Sequence, residues 1–120
     1  MRKRKGRRKI MKLVEILEKC NALGIAEKRN IAEDYCEIVF LAKEIDEWNT
    51  VFSGIFGPAV KPKGTKPTRQ DSEITSEFGG IYTNQVLYKK GFDEGTVIAM
   101  FWPWQDGNYI TLKIARIAKK

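Results

Sequence analysis

The chain has 120 residues, 42% of them apolar and 31% charged, with a formal charge of +7 at pH 7. That length supports one domain with a core, and the composition argues against a disordered or membrane-embedded chain, since no run approaches the roughly 20 uncharged apolar residues of a spanning helix. Histidine is absent, which removes the commonest general acid–base group and rules out serine–histidine and cysteine–histidine nucleophilic pairs.

Residues 1–9 read as a basic, flexible arm in front of a single domain spanning 10–120. Arg2, Lys3, Arg4, Lys5, Arg7, Arg8 and Lys9 carry the entire net charge, because the other 15 basic residues balance the 15 acidic ones. Like-charge runs of this kind repel themselves and can engage polyanions such as nucleic acid. The arm is not read as a secretion signal: the apolar stretch after it is broken by Lys12, Glu15, Glu18 and Lys19. A cytoplasmic protein with no membrane contact is therefore expected. Cys20 and Cys36 read as small buried hydrophobes, and two cysteines without histidine cannot complete the usual four-ligand zinc site. No metal or cofactor is expected.

Ile10, Leu13, Val14, Leu17, Cys20 and Gly24 share one face of a first helix, with the charged residues mainly opposite. A charged connector follows. The β-branched and aromatic run Tyr35 to Leu41 then reads as a strand with Cys36, Ile38 and Phe40 on one side and Tyr35, Glu37 and Val39 on the other. From about Glu44 to Phe56 a second helix aligns Ile45, Trp48, Phe52 and Ile55, and Gly57-Pro58 stops it. GPAVKPKGTKP is too rich in proline and glycine for a regular element. Thr68 is the expected N-cap of a short third helix, with Asp71 completing a capping box and Gly79-Gly80 supplying a left-handed stop. Three strands follow, about Ile81 to Lys89, Thr96 to Gln105 and Asn108 to Ile117.

The expected fold is α+β, in the order α-β-α-α-β-β-β, with a four-stranded, mainly antiparallel sheet and about three helices over one face. Taking Asp106-Gly107 as a two-residue hairpin loop pairs Trp104 with Tyr109, Trp102 with Thr111 and Met100 with Lys113. One face of that hairpin is purely apolar: Ala99, Phe101, Pro103, Ile110, Leu112 and Ile114. The other carries Met100, Trp102, Trp104, Tyr109 and Lys113, a mixture that needs a cover. The proline-rich loop, the first helix, a second copy and a ligand are the candidates. Pro103 requires one side of its strand to be open or irregular near the turn.

These patterns lead to three functional readings. The first is a non-enzymatic binding or self-association domain that uses Met100, Trp102, Trp104, Tyr109 and Lys113, with Tyr82 and Asn84 near Trp102 as a small-ligand pocket and Glu37 paired with Lys113; the partner is a second copy or a small ligand. In the second, nucleic acid binds the basic arm, and a weak anion site forms from Lys61, Lys63, Lys66 and Arg69 at the start of the third helix. The third is a small enzyme using carboxylates from Asp34, Glu37, Asp93, Glu94 and Asp106, where no catalytic residue can be singled out.

Overall fold

The computed structural model describes residues 13–20, 23–92 and 95–118. The basic arm, the first turn expected of the first helix, and Asp93 and Glu94 lie outside the described residues. Helix α1 (Leu13–Cys20) leads into strands β1 (Glu27–Ile31) and β2 (Tyr35–Leu41), then helices α2 (Ile45–Phe56) and α3 (Arg69–Thr75), then strands β3 (Val86–Phe92), β4 (Gly95–Pro103) and β5 (Tyr109–Ala118). The strands form one antiparallel sheet in the order β1-β2-β5-β4-β3. No described helix is long and apolar enough to cross a membrane.

The α+β class and the antiparallel sheet agree with the sequence reading, but the described residues form five strands rather than four. The additional one, β1, is the charged connector, EKRNI, exposed along its whole length. It is a strand through its backbone pairing with β2, broken by an irregularity between Lys28 and Asn30, and so shows no apolar alternation. The strand expected from Ile81 begins only at Val86, and residues 82–85 form a turn in which Gln85 N–H donates to the Tyr82 carbonyl at 3.0 Å.

The helices are not all on one face. Leu13, Ile16, Leu17 and Cys20 of α1 and Trp48, Phe52 and Phe56 of α2 pack with Cys36, Ile38, Phe40, Ala99, Phe101, Ile110, Leu112 and Ile114. The i, i+4 spacing of the α2 aromatics sets Trp48 against Phe40 with centroids 4.2 Å apart, and Phe52 edge-on to Phe101 at 5.4 Å. The opposite face holds a second, smaller core of Ile81, Leu87, Ile98, Met100 and Ala115, packed with Ile74 of α3 and Phe78 of the 3-10 turn after it. This placement corrects the one-face arrangement: an apolar strip across β3, β4 and β5 has to be removed from water, and Ile74 and Phe78 pack over it.

Lys61 anchors the proline-rich segment. Its backbone pairs with Leu87 at the outer edge of β3, and its side chain is 1% exposed. The ammonium donates to the carbonyls of Gln85 at 2.6 Å, Thr83 at 2.9 Å and Pro62 at 3.1 Å, which uses all three of its N–H groups. Burial pushes its pKa down, with the Asp71 carboxylate opposing that shift.

Candidate recognition face on the sheet

The hairpin register agrees with the sequence reading at every expected pair on the strands, Trp102 with Thr111, Phe101 with Leu112, Met100 with Lys113 and Ala99 with Ile114. The turn chemistry differs. Gly107, at φ 76, donates to the Trp104 carbonyl at 3.1 Å, so Gln105 and Asp106 are the central residues, and Asp106 Oδ1 accepts from Asn108 N–H at 2.8 Å. Trp104 N–H still donates to the Tyr109 carbonyl at 2.9 Å. Pro103 pairs toward β5 while β3 begins opposite Phe101, so its missing N–H falls on the open side of the strand.

Alternation along β4, β5 and β2 sends Trp102, Trp104, Tyr109, Thr111, Lys113, Tyr35 and Glu37 to the face that α3 covers only in part. Met100 lies at 0% exposure beneath α3, and is core rather than recognition surface. Trp102, Trp104 and Tyr109 are half-buried. The Trp102 ring meets the Gly79 backbone so closely that a Cβ on Gly79 would overlap its Cη2. Above that ring stands the Lys113 ammonium, 3.4 Å from its centroid, donating to the Phe78 carbonyl at 3.0 Å. Two residues on, Trp104 tilts against Tyr109 at 4.9 Å, donates its indole N–H to Thr111 Oγ1 at 2.8 Å, and carries the Arg29 guanidinium 5.4 Å from its ring centroid. Both tryptophans therefore carry a cation from the protein itself, an attraction of about 0.5–1 kcal/mol at exposed sites and more when desolvated.

Glu37 and Lys113 are opposite one another in the β2–β5 register, as the expected pairing required. Their charged ends diverge. The carboxylate accepts from the Tyr35 hydroxyl at 2.7 Å and lies 3.7 Å from an Arg29 guanidinium nitrogen. Lys113, half-buried, has its pKa pushed down by desolvation and partly restored by the charge of Glu37. Tyr35 is pushed up by burial first, then by its bond to Glu37. Its ring lies parallel to Phe78 at 5.7 Å. Tyr35, Glu77, Phe78, Gly79 and Lys113 line an open cleft of about 400 Å3.

The other sequence candidates fall elsewhere. Tyr82 and Asn84 are exposed in the 82–85 turn, outside the cleft lining. Lys61 is committed to three carbonyls and cannot serve an anion. At the start of α3 the capping box is complete: Thr68 Oγ1 accepts from Asp71 N–H at 3.0 Å, and Asp71 Oδ2 from Thr68 N–H at 2.9 Å. Arg69 pairs with Glu73 at 3.3 Å, and Lys63 and Lys66 are exposed. Asp34 reaches Arg116 at 3.8 Å.

Arg29, Tyr35, Glu77, Phe78 and Gly79 were not singled out as site residues by the sequence. Glu37 opposite Lys113 was the one available signal for Tyr35, two residues along the same strand face. Comparison with protein-family models, with curated proteins and with solved structures finds no match to this chain.

Proposed function

We propose that the chain is a small non-enzymatic binding or self-association domain that uses the uncovered end of this sheet face. The observation that carries the reading is the pair of tryptophan–cation stacks, Lys113 on Trp102 and Arg29 on Trp104, beside an open cleft on a face that α3 covers only in part. Trp48, by contrast, is shut away from water in the larger core. Half-buried Trp and Tyr next to arginine match the composition of energetically dominant interface residues. A carboxylate-dependent enzyme finds less support, since Glu37 already engages Tyr35 and Arg29.

Light scattering and iodide quenching of tryptophan fluorescence, both followed across protein dilution, test the reading. A mass of two copies that falls on dilution while quenching rises, and that Trp104→Ala shifts to one copy, supports self-association. A single-copy mass with Trp104 open to iodide assigns the face to another partner. A single-copy mass with tryptophans shielded at every concentration overturns the reading. The alternative, nucleic-acid binding, is favoured by the arm that holds the whole net charge. It requires an affinity that falls steeply with salt and collapses when residues 1–10 are removed.

A further inference from the structure

The cleft at the Lys113 end of this face has a more specific chemistry. Its volume of about 400 Å3 lies within the roughly 300–1,000 Å3 of small-molecule sites. Tyr35 and Phe78, stacked parallel to within 7°, both contribute apolar ring surface to the lining. Lys113 and Glu77 put opposite charges into the same lining. The Lys113 ammonium gives one N–H to the Phe78 carbonyl and rests on the Trp102 ring, which leaves donor capacity for a guest. Glu77 is exposed and makes no ion pair among the described residues. Glu37, the other nearby carboxylate, is matched by Arg29 and the Tyr35 hydroxyl. The cleft thus offers a guest one cation and one carboxylate.

We propose that this cleft binds a small zwitterionic amino acid with an apolar side chain, its carboxylate on the Lys113 ammonium, its ammonium on the Glu77 carboxylate and its side chain along Tyr35 and Phe78. This rests on the reading of the face as a recognition surface and narrows that reading to one ligand class. Charge selects the zwitterion: a simple anion leaves Glu77 facing a like charge, and a simple cation leaves Lys113 doing so. The ligand carboxylate also supplies a counter-charge to an ammonium that burial has partly desolvated.

The intact protein is titrated with L-phenylalanine and with two truncated analogues, 3-phenylpropanoate, which lacks the ammonium, and phenethylamine, which lacks the carboxylate. The readouts are tryptophan fluorescence and the indole N–H resonance of Trp102. L-Phenylalanine should bind at least about tenfold more tightly than either analogue, roughly one charged contact. Glu77→Gln should reduce it to the level of 3-phenylpropanoate, and Lys113→Met should abolish the response to 3-phenylpropanoate. Glu77 is exposed, so its variant keeps the test meaningful even where Lys113→Met disturbs packing on Trp102. Equal binding of L-phenylalanine and 3-phenylpropanoate overturns the proposal, as does an unmoved Trp102 resonance at about 10 mM L-phenylalanine, ten times a millimolar Kd. A protein that ignores the amino acid but dimerises through Trp104 loses only the ligand class. One that ignores the amino acid, stays single-copy and shields its tryptophans from iodide at every concentration loses the recognition face as well.

Discussion

Replacing Gly79 by alanine, with Gly80→Ala as its control, asks whether the two glycines after α3 serve the chain turn alone or also the seat of Trp102. Both have positive φ, 100° at Gly79 and 81° at Gly80. A side chain in that left-handed region costs about 1–2 kcal/mol, so the two variants share this penalty. Their surroundings differ. At Gly80 the nearest outside atom is the Tyr82 hydroxyl oxygen, 3.8 Å from the new Cβ, an ordinary contact. At Gly79 the methyl overlaps Trp102 Cη2 and comes within 3.5 Å of Lys113 Nζ. Trp102 cannot retreat cheaply, because Ile98, Met100 and Ala115 fill the core beside it. Overpacking of that kind adds about 1–3 kcal/mol. Gly80→Ala should therefore lose about 1–2 kcal/mol in urea unfolding, and Gly79→Ala about 2–5 kcal/mol. Only Gly79→Ala should displace the Trp102 indole N–H resonance. Equal losses with an unmoved indole signal would refute the claim that Gly79 is glycine because of the ring.

Lys61→Met should cost about 2–4 kcal/mol in chemical unfolding; the carbonyl of buried Gln85 loses its donor, while water can reach those of Pro62 and Thr83. A loss under about 1 kcal/mol would mean that the ammonium holds nothing. Thr111→Val removes the acceptor of the Trp104 indole N–H and should raise iodide quenching of Trp104 while costing about 1 kcal/mol; unchanged quenching would show that the bond does not fix the ring. In alkali, Cys20 supplies a defined signature, since burial pushes its thiol from 9.0 up to about 12. The unfolded thiol ionises first, so this contribution is complete below pH 9 and is lost as pH climbs toward 12, about 4 kcal/mol in all. Cys20→Ala should flatten the alkaline limb of the stability profile, and an unaltered limb would place the sensitivity elsewhere.

Elements governed by local chemistry were legible in the sequence. The capping box of Thr68 and Asp71, the shared face of Trp48 and Phe52 and the span of β2 each depend on residues a few positions apart. The Trp104–Tyr109 register survived a different turn because the strands, with one apolar face, leave it little freedom to slip. Strand β1 was not legible, since all its side chains are exposed and the cue lies in backbone bonds to a partner. Which face α3 would cover was not legible either: its pattern shows that Ile74 and Phe78 seek an apolar surface, and the sheet offers two. The cleft depends on that choice. It joins Tyr35, Glu77 to Gly79 and Lys113 from three distant segments, and only the crossing of α3 to the tryptophan face brings them together. Arg29 escaped notice for the same reason as β1.

The way Lys61 is held has a consequence in acid. An ion pair disappears when its carboxylate takes up a proton, whereas three amide oxygens have no proton to accept in that range, and an ammonium only becomes more firmly charged. The fastening of the proline-rich segment to the 82–85 turn is thus built from cation partners that acidification does not remove.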